Sequence, residues 1–172
     1  MLTFPFELGL TVRRLSEVDA PLVQGLLDVS ADYYGLVYGE PARADEGLNI
    51  LTELPPGKTL PDKFVFGFLG ADQQLAGVLD GVLNFRTEGE WYLGFLLLAP
   101  TTRGHGRGSQ ILKATFDWLR SLGAHTVRLG CAEQNLAGRR FWERHGFRLE
   151  KTFPPRVLGA RETVLLEYTR AL

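Results

Sequence analysis

The sequence predicts an α+β fold built on one mixed, mostly antiparallel sheet, and three observations predict it. Lys63 to Leu69, Leu75 to Phe85 and Trp91 to Leu98 are apolar, strand-like runs. Only two short polar, glycine-bearing segments separate them, Gly70-Ala71-Asp72-Gln73-Gln74 and Thr87-Glu88-Gly89-Glu90, as hairpin turns require. Next, Ile111, Leu112, Thr115, Phe116, Leu119 and Leu122 recur at helical spacing and end at Gly123, a residue suited to a left-handed cap. Thr126 to Ala132 is again strand-like, so the passage from Trp91 through Gly123 to Ala132 requires a parallel crossover.

The remaining elements follow in order. Leu8 to Leu15 has strand-like apolar content. Ser16 and Asp19 form a capping-box pair before Leu22, Val23, Leu26 and Leu27, which share a helical face, and Pro21 sits in the first turn, where its missing N–H costs little. Asp32 to Gly39 reads as a loop, and Pro41 opens a second helix carrying Ala44, Leu48, Leu51 and Leu54, stopped by Pro55-Pro56-Gly57. Asn135 to His145 is a short helix ended by Gly146, and Phe147 to Phe153 and Thr163 to Tyr168 are the last strands, with a loop from Pro154 to Ala160 between them.

Composition narrows the function classes. The 172 residues, 45% of them hydrophobic, suit one domain spanning 1–172 with a single core, and no repeat or linker divides them. A formal charge of −1 predicts neither nucleic-acid binding nor attraction to an anionic membrane, so the expected partner is a small molecule. The single cysteine, Cys131, provides no disulfide and no thiolate cluster for zinc, and no metal site is expected. The N-terminal MLTFPFELGL lacks the pattern of a secretory signal, and no apolar run approaches the roughly 20 residues of a spanning helix, so the expected location is the cytoplasm.

The chemistry concentrates in Leu96-Leu97-Leu98-Ala99-Pro100-Thr101-Thr102-Arg103-Gly104-His105-Gly106-Arg107-Gly108-Ser109. A strand runs into a glycine-rich turn that opens an amphipathic helix. Unpartnered backbone N–H groups and the helix dipole there attract a phosphate or pyrophosphate, the glycines let it approach, and Arg103, His105 and Arg107 offer cations. A Walker A loop would need Lys and then Ser or Thr after its last glycine, where Ser109-Gln110 stand. A dinucleotide fingerprint would need glycine or alanine at Ser109 and a βαβ unit around it, whereas three helix-free strands come first.

Arg103, Gly106 and Gly108 fill the pattern of the coenzyme A loop of the GNAT-type N-acetyltransferases, which the chain resembles. Leu98-Ala99-Pro100 is similar to the end of strand four in that family, and Asn135, Ala137 and Phe141 to Phe147 are similar to its second motif. The resemblance implies a central sheet of about seven strands with four helices, strands four and five splayed, and acetyl-CoA as cosubstrate. It implies that Leu96 and Leu98 offer backbone groups to the pantetheine arm, that Arg103, Gly104, His105, Gly106, Arg107, Gly108 and Ser109 cradle the pyrophosphate, and that Asn135 and Trp142 approach the cofactor. The implied reaction is transfer of acetyl to a primary amine of a small molecule by direct attack, and the family also allows a homodimer.

One position departs from the family pattern. The tyrosine that usually protonates the leaving thiolate is replaced by Trp142, whose indole N–H donates a hydrogen bond but is no useful acid. The proton then comes from water or from another group, with Tyr33, Tyr34 or Cys131 as substitutes, or the domain binds acyl-CoA without catalysis. Glu133, just after strand five, is the first choice as general base, ahead of Asp80 and Glu90. Tyr33, Tyr34 and Tyr38 border the expected acceptor pocket, and packing of a loop onto the sheet would explain them equally well. Cys131 reads as a packed apolar residue, and His145 as a cation at a helix end.

Overall fold

A computed structural model describes residues 9–172; Leu8 of the first expected strand and the rest of the N-terminal segment lie outside them. The chain runs β1 (Thr11–Arg14), α1 (Ala20–Val29), α2 (Ala31–Val37), α3 (Glu46–Thr52), β2 (Lys63–Leu69), β3 (Leu75–Val82), β4 (Glu90–Leu98), α4 (Arg107–Ser121), β5 (Thr126–Ala132), α5 (Leu136–Arg144), β6 (Arg148–Thr152), β7 (Arg156–Leu158), β8 (Arg161–Thr163) and β9 (Leu165–Ala171). Seven strands form one sheet in the order β1-β2-β3-β4-β5-β9-β6, and β7 pairs with β8 as a separate hairpin. Within the large sheet β4 and β5 are parallel and the other described neighbours antiparallel, as the crossover through α4 requires.

Each sheet face carries a core. On one side Ile111, Leu112, Phe116 and Trp118 of α4 meet Phe64, Phe66, Phe68, Leu79, Trp91 and Leu93. On the other Val23, Leu26 and Leu27 of α1, Tyr34 of α2 and Leu51 of α3 meet Val65, Val78 and Leu97. These are the opposite parities of the same strands, which is what burial on both faces demands of β2 and β3. Truncating Leu27 or Leu112, both fully buried, to alanine is expected to cost about 2–5 kcal/mol.

The helical start differs from expectation in two places. Asp32 to Gly39, expected as a loop, contains α2, so five α-helices are described where four were expected. Seven residues cannot hold a helix by local propensity; burial of Tyr34 and Val37 supplies the stability. The following helix begins at Glu46 rather than Pro41. Gln24 of α1 imposes this start: its Oε1 accepts from the Gly47 N–H (2.8 Å), and its Nε2 donates to the Arg43 carbonyl (3.0 Å), pinning the preceding chain in a non-helical path. A Cβ at Gly47 would lie 2.6 Å from the Ala20 carbonyl, so glycine lets α1 and α3 touch. The Pro154 to Ala160 loop is also more ordered than expected, since Arg156–Leu158 within it forms β7 and pairs with β8 just beyond it.

Among the described residues no helix is long and apolar enough to cross a membrane, and no group of His, Cys, Asp and Glu is arranged to hold a metal ion.

Candidate functional site

β4 and β5 pair only as far as Leu93 and Leu129. Beyond that rung they part, because β4 carries a bulge: Asp80 of β3 faces Phe95 while the next residue, Gly81, faces Leu93. Gly94 is thus the extra residue, and the bend it introduces turns the rest of β4 away from β5. The gap opens a cleft of about 1310 Å³ lined by both strands, by the α4 start and by α2.

The glycine-rich turn stands at one end. Gly104 (φ 84°) and Gly106 (φ 73°) are left-handed with open space where side chains would be, and Gly106 caps α4 without any side-chain hydrogen bond. The first N–H groups of a 15-residue helix therefore face the cleft uncapped, a ready position for a phosphate. Gly108 is glycine for a packing reason as well: a Cβ there would meet Phe141 of α5 at 3.3 Å.

Along the cleft wall lies a free strand edge. The Ala99 N–H bonds back to Ala76 of β3, so by strand alternation the backbone groups of Leu96 and Leu98 point to the open side. The Leu98 carbonyl is already taken by Arg103 Nε (2.8 Å). Facing this edge, the Glu133 N–H bonds to Val164 ahead of β9, which by the same alternation turns Gly130 and Ala132 toward β4.

At the far end Tyr33, Tyr34, Tyr38 and Phe95 form an aromatic pocket. Tyr33 meets Tyr34 and Phe95 edge-on at 5.5 and 5.6 Å, and Tyr34 stacks on Tyr38 at 5.2 Å. The β7–β8 hairpin is fastened across α2: the Ala160 N–H bonds to the Tyr38 carbonyl (2.8 Å), and Gln134 links the α2 end to Thr163. A Cβ at Gly159 (φ 60°) would sit 2.7 Å from Glu40 and 2.8 Å from the Tyr38 carbonyl, so the hairpin tip needs glycine.

The residues singled out in the sequence distribute unevenly. Tyr33, Tyr34, Leu96, Leu98, Arg103, Gly104, Gly106, Arg107, Gly108, Ser109, Asn135 and Trp142 all line the cleft. His105 does not; it lies in a shallower depression behind the turn, with Thr101 and Asp72. Glu133 is exposed and outside the cleft lining, and its carbonyl accepts from Arg139. Asn135 caps α5 by accepting from the Gly138 N–H (3.0 Å). Arg103, expected to offer its cation to a phosphate, lines the cleft and bridges the Leu98 carbonyl and the Asp32 carboxylate of α2, with its Nη2 buried and unpartnered. Its guanidinium holds the Asp32 carboxyl below the usual range.

Burial sets the ionisation of the candidate acids and bases. It pushes Tyr33, Tyr34 and Tyr38 upward, with Glu46 adding to the rise, so all three are protonated phenols at neutral pH. It pushes the Cys131 thiol up to about 11, which fits a packed rather than a nucleophilic cysteine. Asp80 is raised from 3.8 to about 6 by burial, against the opposing pull of Lys63, whose Nζ holds Oδ1 at 2.7 Å. Its Oδ2 lies 2.7 Å from where a Cβ on the exposed Gly94 would stand, which places this buried carboxylate beneath a residue of the cleft lining. Glu90 is bound instead to Arg128 (2.9 Å), in a charged cluster with Glu167 and Glu150.

Tyr92, Gly94 and Asp32 also border the cleft, and no motif in the sequence marks them as site residues; the hairpin around Leu158, in the loop from Pro154 to Ala160 that the resemblance implies shapes acceptor specificity, borders it as well. A glycine inside an otherwise apolar strand, as at Gly94, is the one signal that would have marked the bulge.

The acetyltransferase (GNAT) family model matches residues 27–147. No curated protein sequence matches the chain significantly. Among solved structures, an acetyltransferase from Thermus thermophilus is 24% identical, with a TM-score of 0.78 over 95% of this chain and 97% of the other. A GCN5-related N-acetyltransferase from Kribbella flavida is 23% identical, with a TM-score of 0.68 over 95% and 98%. Spermidine N-acetyltransferase from Vibrio cholerae, solved with CoA and spermine, is 17% identical, with a TM-score of 0.72 over 96% of each chain.

Proposed function

The chain belongs to the acetyltransferase (GNAT) family, and we propose that it acts as a single domain that transfers an acetyl group from acetyl-CoA to a primary amine of a small molecule by direct attack. The observation that carries this reading is the continuity of one cleft, from the uncapped α4 start, along the free edge of β4, to the tyrosine pocket. Those residues suit acetyl-CoA: open left-handed glycines admit a pyrophosphate, and the outward backbone of Leu96 matches the amides of a pantetheine arm.

In this reading Gly104 to Ser109 hold the pyrophosphate through backbone N–H groups, and Arg103 braces the turn instead of binding it. The Leu96 N–H polarises the thioester carbonyl as negative charge builds on its oxygen. Tyr33, Tyr38 and Phe95 orient the amine and exclude water from it. Asp80, beneath Gly94, is our choice over Glu133 to accept the proton the amine loses, because its Oδ2 lies 2.7 Å from where a Cβ on Gly94, a residue of the cleft lining, would stand.

The test pairs binding with turnover. Acetyl-CoA is expected to raise the melting temperature, and a panel of small amines is expected to contain acceptors that release free thiol from it. Stabilisation without thiol release for any amine would leave a module that binds acyl-CoA without catalysis, the reading that Trp142 favours. No stabilisation would remove both.

A further inference from the structure

Resting on that reading, we propose that Tyr92 is the proton donor to the departing coenzyme A thiolate, acting from β4 at the vertex where β4 and β5 separate. A thiolate leaving from a thioester held along the cleft needs a donor near this vertex, and Trp142 of α5 lines the same cleft with an indole that does not ionise usefully. Tyr33, Tyr34 and Tyr38 are gathered at the acceptor end, in ring contact with one another. Tyr92 occupies a different position. It pairs with Arg128 one rung before β4–β5 pairing ends at Leu93 and Leu129, and it lines the cleft.

Its hydroxyl spans the vertex. A Cβ on Gly130 of β5 would stand 2.9 Å from Tyr92 Oη, so glycine at 130 leaves room for the phenol. The backbone of Gly130, which by strand alternation faces the open side of β5, lies beside that oxygen and favours its charged form. The ring itself is fixed by Phe85, whose centroid lies 4.7 Å away. The hydroxyl therefore sits against a stretch of backbone that stays in place whether the oxygen carries a proton or a charge.

The chemistry closes without a further reactant. The amine nitrogen forms its bond to the acetyl carbon, and the carbon–sulfur bond breaks with its electron pair going to sulfur. Tyr92 gives its proton to that sulfur, leaving a phenolate beside the Gly130 backbone, and the proton lost by the amine returns to Tyr92 through the base and solvent. The products are an amide and a thiol. Burial first and then Glu167 of β9 keep Tyr92 protonated at neutral pH, while Arg156 of β7 and Arg86, ahead of β4, ease formation of the phenolate.

The test compares wild type with Tyr92→Phe, which keeps the ring on Phe85, for binding of CoA and of desulfo-CoA by calorimetry and for acetyl transfer to an accepted amine. Wild type is expected to bind CoA more tightly than desulfo-CoA, and Tyr92→Phe to lose that preference while its desulfo-CoA affinity is unchanged. The kcat of the variant should fall by roughly 10²-fold or more, the usual contribution of a positioned acid, with an unchanged KM for acetyl-CoA. An undiminished preference for CoA, equal wild-type affinities for the two compounds, or an unchanged kcat overturns the assignment. Failure of wild type to bind either compound is a different result: it removes the acetyl-CoA reading and this proposal with it.

Discussion

Arg103 ties its loop to two neighbouring elements. Its Nε and Nη1 are bonded to the Leu98 carbonyl and to Asp32, joining the glycine turn to the end of β4 and to α2. If it is a brace, Arg103→Ala and Asp32→Ala should weaken acetyl-CoA binding in the same direction, by roughly severalfold given the exposure of the pair. If it were a phosphate ligand, Asp32→Ala would free the cation and tighten binding. Titration calorimetry of both variants separates the two. Asp80 makes a prediction of different sign from most carboxylates. Its pKa rises from 3.8 to about 6 on folding, so the native state binds more protons than the unfolded chain between those values. Its contribution to stability is fully present below the unfolded value and is lost as pH rises through about 6, a span worth about 3 kcal/mol. Subtracting the unfolding free energy of Asp80→Asn from that of wild type, pH by pH, should isolate this fall; a flat difference between pH 4 and 7 would contradict it. The same titration should appear as an acid limb in kcat/KM. The sequence named Asp80 among three carboxylates but offered no means of choosing, because its environment is built by Lys63 and Gly94, 17 and 14 positions away along the chain.

The elements that could be read from sequence are those whose signal is local. β2, β3, β4, α4 and β5 carry apolar periodicity, hairpin turns and a glycine cap within a few residues of themselves, and they formed where expected. α2 and the β7–β8 hairpin were not legible, since α2 exists through burial of Tyr34 and Val37 and the hairpin through its bond to the Tyr38 carbonyl. The glycine turn was legible as a left-handed helix start, while the outward direction of His105 was not, because direction depends on how Gly104 and Gly106 turn the chain. That turn makes its own prediction. Gly106 holds φ 73° at the α4 N-cap, where a β-branched side chain is strongly disfavoured. Gly106→Val should cost about 1–2 kcal/mol and lower acetyl-CoA affinity by more than tenfold, measured by thermal melts and calorimetry. Unchanged affinity would mean that the α4 start does not hold the cosubstrate.

The molecule as a whole is a sheet with a core on each face and a defect in its middle. Core packing fixes β4 and β5 on both sides, the Gly94 bulge forces them apart, and the helices and hairpin at either end turn the defect into a cleft. The fold class was expected from the sequence pattern, and the splay of β4 and β5 from the resemblance. Tyr33, Tyr34 and Tyr38 were expected to border an acceptor pocket; how that end of the cleft is assembled was not legible, because α2, the chain around Glu40 and the β7–β8 hairpin are remote in sequence. The measurement that bears most directly on the proposed activity follows the acyl group itself. Wild-type protein is incubated with acetyl-CoA carrying a deuterated acetyl group and with an amine that supports thiol release, and the amine is then examined by mass spectrometry. The proposed activity predicts one deuterated acetyl group on the amine for each thiol released, in amounts that require the protein. Thiol release with an unlabelled amine would mean hydrolysis of the thioester and would contradict it.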